Sequence, residues 1–240
     1  MRKVLIGLAG VALLLGAAGL VTYRARLNRR LLDRTGCQPG ATTPGIDVSY
    51  YQETIDWKRV QSAGIQFAFI RLADGATLRD PRFATNWAEA RRAGVVRGAY
   101  QYFRPDQSVT AQAELMIAAM RSRERNDLPP VLDIEVDGGL AASVVAERAA
   151  AWIDQVRTRL GVEPIVYTGS DLWRAGGGEP LGSQPLWLAH YTAQTCPNLP
   201  APWERWTFWQ HTDRGAVPGI EGPVDLDRFA GTAADLQTLR

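Results

Sequence analysis

The stretch "PPVLDIEVDGG", residues 129–139, decides how the chain is read. Two prolines open it, two glycines close it, and a short apolar run lies between, which is the punctuation of a buried strand. Asp133, Glu135 and Asp137 nevertheless take alternate positions within it. Side chains alternate faces along a strand, so the three acids share one side and Ile134 and Val136 the other. If the acidic side is the interior of a barrel near its mouth, Asp133 and Glu135 point into one cavity.

The sequence around this stretch supports such a barrel. Apolar, β-rich runs alternate with helical patterns from Pro44 onward, which predicts βα units and a mostly parallel sheet. Strands are expected at 45–51, 66–75, 96–103, 130–137, 164–169, 185–191, 205–212 and 224–229, enough to close a barrel. Helical spacing and stop signals place helices in "TIDWKRVQSAG", with Thr54 as N-cap, and in "PRFATNWAEARRAG", which ends at Gly94. "DQSVTAQAELMIAAMRSR" and "LAASVVAERAAAWIDQVRTRLG" carry the same periodicity. The glycines and prolines of residues 170–185 are poor helix formers. The expected fold is therefore α/β, with five βα units followed by three strands with little helix between them, in one domain.

In a parallel barrel the C-terminal strand ends form the functional rim. Asp47, Asp133, Glu135, Asp225 and Asp227 fall near such ends. Like charges held close together and partly desolvated raise at least one pKa, leaving a protonated acid beside ionised neighbours. Glycoside hydrolysis needs that pairing: one group protonates the leaving oxygen and the others stabilise an oxocarbenium-like centre. Aromatic surfaces for packing sugars are available in Tyr50, Tyr51, Tyr100, Tyr102, Tyr167, Tyr191, Trp187, Trp206 and Trp209.

The ordered set "GIDVSYYQ", "FAFIRLADG", "GAYQYF", "LDIE", "PIVYTG", "LWLAHY", "WTFWQHT" and "GIEGPVDLDRF" resembles glycoside hydrolase family 25, the Chalaropsis-type lysozymes, across residues 44–231. The resemblance implies a TIM-like barrel of five βα units plus three β strands. It also implies cleavage of the β-1,4 bond from N-acetylmuramic acid to N-acetylglucosamine in peptidoglycan, by a monomer without a cofactor. It makes Glu135 the general acid and Asp133 its partner carboxylate, with Asp47 and Asp225 orienting substrate and tuning Glu135. Tyr100, Tyr102, Tyr167, Trp187, Tyr191 and Gln210 are the expected substrate contacts. Neighbouring-group help from the substrate's N-acetyl group and direct attack by water both remain open. The chain departs from the family pattern at Gln101, where His is common, and at Asp227, where Asn is common. The second departure makes Asp225 and Asp227 rivals, with Asp225 preferred.

Other residues have plainer readings. Asp137, Asp74 and Asp80 suit turns, His190 and His211 suit ordinary hydrogen bonding, and Trp57, Trp87 and Trp152 suit helix packing. Arg71 lies inside a strand and needs a partner, for which a rim acid is expected. Three function classes compete: a muramidase, a catalytically silent peptidoglycan-binding module and a metal-dependent phosphodiesterase. Scarce histidine and the lack of a phosphate-cradling glycine loop weigh against the last, and no metal site is expected.

The N-terminus is distinct. Seven of the 27 basic residues and one of the 25 acids lie in residues 1–40, leaving 20 basic against 24 acidic side chains. The main domain therefore offers no electrostatic case for nucleic acid. Val4 to Tyr23 run without a charge, about the length of a membrane crossing. Residues 1–23 are expected to enter a membrane as an uncleaved anchor or a cleavable signal peptide, followed by a basic linker over 24–43, the catalytic domain over 44–232 and a tail over 233–240. Export to the periplasm, the wall space or the medium follows. In that setting Cys37 and Cys196 are expected to be bonded.

Overall fold

A computed structural model describes residues 36–174 and 176–239. The expected membrane segment and linker residues 24–35 lie outside the described residues. Among the described residues no helix is long and apolar enough to cross a membrane.

Nine strands form one sheet: β1 (Thr43–Val48), β2 (Phe67–Asp74), β3 (Leu78–Arg79), β4 (Val96–Tyr102), β5 (Val131–Ile134), β6 (Ile165–Gly169), β7 (Leu186–Ala189), β8 (Phe208–Gly215) and β9 (Val224–Phe229). Eight of them close a barrel in the order β1-β2-β4-β5-β6-β7-β8-β9, with β9 returning to β1. The pairs from β1 to β8 are parallel, and β9 is antiparallel to both of its neighbours. The short β3 folds back on the end of β2 outside this ring.

Helices α1 (Trp57–Ser62), α2 (Phe83–Ala93), α3 (Val109–Met120) and α4 (Ala142–Leu160) lie between successive strands, and α5 (Ala233–Thr238) follows β9. Asp56, not Thr54, caps α1, accepting from the Arg59 N–H at 3.2 Å. Gly94 and Gly161 end α2 and α4 in the left-handed conformation, which a side chain would disfavour. After β6 only a three-residue 3₁₀ turn, Glu179–Leu181, stands among the described residues, as the glycines and prolines there led one to expect, so the fifth of the five expected βα units lacks an α-helix. The described residues of the expected tail, 233–239, pack onto the domain. Thr232 and Asp235 make a capping box, and Leu236 is buried beneath the barrel with Phe229. The linker's last residues also join the fold, since Trp206 donates to the Gly36 carbonyl and Cys37 is bonded to Cys196.

Strand alternation divides the apolar residues. Leu132 and Ile134 face outward onto α3 and α4, among Met116, Ile117 and Trp152. Phe67, Phe69, Val131, Ile165, Trp187, Phe208 and Phe229 fill the barrel. Phe69 stacks on Trp187 with ring centres 4.3 Å apart, and Phe208 meets both phenylalanines of β2 edge-on. Fully burying such a ring stabilises the fold by about 1.5–3 kcal/mol. Gly45 makes room for this plug, because a Cβ there would overlap the Phe67 ring.

Gly45→Ala is therefore expected to cost about 1–3 kcal/mol of stability by overpacking, read as a lower urea midpoint. An unchanged midpoint would mean that the Phe67 ring can move aside without loss.

Candidate active site

Above the aromatic plug the interior positions become polar, and a cavity of about 240 Å³ opens at the C-terminal ends of the parallel strands. A larger hollow of about 780 Å³ lies at the opposite mouth, near α5 and the starts of β7 and β8, but it gathers no comparable set of acids. Asp47, Asp133, Glu135 and Asp225 all line the smaller cavity, as do Tyr100, Tyr102, Tyr167, Trp187, Tyr191 and Gln210.

The strand registers explain this convergence. Asp133 lies beside Tyr102 of β4 and Tyr167 of β6, and Asp47 pairs with Asp225 across the antiparallel seam. β5 stops at Ile134, short of the expected 137, so Glu135 stands just beyond the strand. Asp133 is 4% exposed, whereas Glu135 reaches solvent at the mouth. Asp137 accepts from the Gly139 N–H at 2.8 Å and belongs to the turn. Asp227 sits one layer below Asp225 and is 1% exposed, with one oxygen accepting from Trp187 Nε1 at 2.8 Å and the other unpartnered. Asp225 is thus the member of the pair that faces the cavity.

A directed hydrogen-bond chain joins the walls. The hydroxyls of Tyr167 and Tyr191 both donate to Gln210 Oε1 at 2.8 Å, and Gln210 Nε2 donates to Asp47 Oδ2 at 2.7 Å. These contacts fix the orientation of the buried amide. Tyr167 also lies within hydrogen-bond reach of Glu135, so its single hydroxyl hydrogen has two competing acceptors, Gln210 and Glu135.

Burial pushes Asp133 well above the usual carboxylate range, and the adjacent Glu135 charge adds to it. Burial raises Glu135 as well, opposed by Tyr167, Arg71 and Asp133. Asp47 and Asp227 rise mainly through burial and then through neighbouring acids, Asp227 being partly restrained by the Trp187 hydrogen bond. Asp225 is raised to about 6 by burial, with Asp213 and Glu135 contributing. So many confined carboxyls share protons at neutral pH. Burial and the same acids raise Tyr100 and Tyr167, whose hydroxyls keep their protons.

The structure corrects the reading of Trp206, Trp209 and the partner of Arg71, and it places Gln101 and the two histidines away from the acids, in keeping with their plainer readings. Trp206 and Trp209 face outward, donating to the Gly36 and His190 carbonyls, and do not line the cavity. Gln101 also points away from the acids, accepting from Trp152 and donating to the Gly75 carbonyl. Neither histidine lines the cavity. Arg71 does line it, and its partner is Asp74 at 3.0 Å. Ser49 and Gln52, not anticipated, also reach it through the 3₁₀ turn Tyr50–Gln52. The S-x-x-Q spacing of "SYYQ" was the available signal, since Ser49 and Gln52 form a capping box there. Among the described residues no cluster of three or more His, Cys, Asp or Glu side chains is arranged to hold a metal ion.

A raised carboxyl pKa favours folding while the group is protonated, and that advantage is lost as pH rises through the native value. Stability should therefore fall from pH 4 toward neutrality. Asp227→Asn, which keeps an acceptor for Trp187, is expected to make that fall shallower in melting curves taken across the range. An unaltered slope would show that Asp227 ionises as readily in the native state as in the unfolded chain, with no raised pKa.

Comparison with known proteins agrees with this geometry. The family model for glycosyl hydrolases family 25 matches residues 46–220. YegX of Escherichia coli O6:H1 is 41% identical over 201 residues, covering 82% of this chain and 72% of its own. Lysozyme M1 of Streptomyces globisporus is 36% identical over 207 residues, covering 81% and 70%. The crystal structure of a lysozyme from Streptomyces coelicolor superposes with a TM-score of 0.77 at 34% identity, over 84% of this chain and 98% of that one.

Proposed function

Because the chain belongs to glycosyl hydrolase family 25 and is thereby a glycoside hydrolase of the N-acetylmuramidase type, we propose that Glu135 and Asp133 carry out its chemistry on peptidoglycan. The observation that carries this reading is the asymmetry of the pair: one carboxyl buried, its neighbour at the solvent edge, and both pushed toward the protonated form. A proton held between them is available at the mouth, where a glycosidic oxygen can arrive. Glu135 delivers it to the leaving oxygen of the β-1,4 bond between N-acetylmuramic acid and N-acetylglucosamine. Asp133, left negative behind it, steadies the positive charge that grows at the anomeric carbon.

The opposite wall supports the same transition state. Asp47 and Asp225 face the pair across the cavity, and Gln210 holds Asp47 in place. Tyr100, Tyr102, Tyr167, Trp187 and Tyr191 supply aromatic and hydroxyl surface suited to a sugar ring. Whether the substrate's N-acetyl group or water attacks the anomeric carbon, the proton has the same source. A silent binding module would gain nothing from confining so many acids, since burying a carboxyl costs stability unless its altered ionisation is used.

The Cys37–Cys196 bond fits work outside the reducing cytoplasm. Residues 1–23 would deliver the unit there either as an anchor or as a cleaved signal, and a tethered enzyme would remodel wall close to its own membrane.

The test is turbidity clearance of purified peptidoglycan. Glu135→Gln should lose about 10²–10⁴-fold in kcat while keeping the wild-type melting temperature. Wild-type kcat/KM should decline on the alkaline side as the pair loses its shared proton. Full activity of the Gln variant would remove Glu135 from this role.

A further inference from the structure

The cavity has an electrostatic problem that its acids cannot solve. Asp47, Asp133, Glu135 and Asp225 give it a negative wall, yet a muramic ring carries a 3-O-lactyl group whose carboxyl is an anion wherever no peptide is attached. Among the described residues Arg71 is the one cation on that wall. Its side chain is 12% exposed and is fixed by a single hydrogen bond, Nη2 to Asp74 Oδ2 at 3.0 Å. Asp74 is fixed in turn by Arg104, which donates Nε to Oδ1 at 2.6 Å and Nη2 to Oδ2 at 2.8 Å. Arg71 is thus anchored at one end of its fork by an acid that Arg104 clamps on both oxygens, with the Tyr102 ring 5.5 Å from its guanidinium carbon. Among the described residues nothing else accepts from its remaining N–H groups.

Beyond Arg71 lies a second hollow of about 210 Å³, bounded by Tyr50, Leu78 and Pro81, and Arg71 lines both spaces. A β-bulge between Arg71 and Ala73 breaks the β2–β4 register at this point. Resting on the muramidase reading above, we propose that Arg71 recognises the 3-O-lactyl group of the muramic ring and directs any attached peptide toward the second hollow. The planar fork of the guanidinium accepts either form of the substituent: a free carboxylate by paired charge-assisted bonds, or the amide carbonyl of a peptide-bearing strand by a weaker contact. An N-acetylglucosamine ring lacks this group. Arg71 would thus contribute to telling the two sugars apart.

The experiment compares full-length wild type, Arg71→Met and Arg71→Lys on peptide-free glycan strands, on the same strands bearing peptides, and with chitohexaose as a competing ligand. Arg71→Met should raise KM on peptide-free strands roughly 10- to 100-fold, reflecting a lost hydrogen bond to a charged group. The rise on peptide-bearing strands should be several-fold smaller, and chitohexaose should inhibit as before. Arg71→Lys keeps the charge but loses the fork, and should recover part of the affinity. If the Met variant fails to fold, the Lys variant carries the comparison, with a selective KM rise on carboxylate-bearing strands expected. Equal losses on all three ligands, or a fall in kcat with KM unchanged, would overturn the proposal by making Arg71 a support for the acids alone. If wild type cleaves neither glycan, the muramidase reading fails separately. Calorimetric binding of the peptide-free strands then decides on Arg71: weaker binding by the Met variant supports it, and equal binding refutes it.

Discussion

The antiparallel pairing of β9 with β1 is the constraint on which the rest of the molecule depends. A sheet of parallel strands could stay open at both edges. Inserting one reversed strand between β1 and β8 closes it and satisfies both edges at once. Because the reversed strand runs from the mouth toward the base, its acids enter the interior from above, Asp225 at the cavity and Asp227 one layer lower. Closure and the acidic wall are consequences of one register.

Below that wall the aromatic plug does two things. It supplies the apolar burial that holds the barrel shut, and it denies water to the undersides of Asp47, Asp133 and Asp227. The same rings therefore contribute to stability and raise the carboxyl pKa values, at opposite signs in free energy. Trp187 acts on both sides of this balance, since its ring stacks on Phe69 in the plug while its N–H favours the Asp227 charge and so restrains the rise of that carboxyl.

Much of this was legible in the sequence because strand periodicity is a short-range signal. The alternation in "VLDIE" was enough to assign Asp133 and Ile134 to opposite faces, and the eight runs were enough to predict a closed barrel. The shortfalls arose where distant partners decide. The end of β5 at Ile134 depends on how far β4 and β6 can pair, and the outward direction of Trp206 and Trp209 depends on residues 170 and 19 positions away. Ser49 and Gln52 reach the cavity only because a capped turn lifts them over the rim. Arg71 raised the right question, a buried charge in need of a partner, but its partner was a turn acid that local sequence had marked as ordinary.

The disulfide has a mechanical meaning. Cys37 is covalently joined to Cys196, in the loop between β7 and β8, six residues before β1 begins. Tension carried along the chain from its N-terminal side reaches that bond before it reaches Thr43. The load passes into the loop and the Trp206 contacts around Gly36, and the first ladder hydrogen bonds of β1 are spared from being peeled one at a time. The strand that carries Asp47 is thus shielded from forces transmitted through the preceding chain.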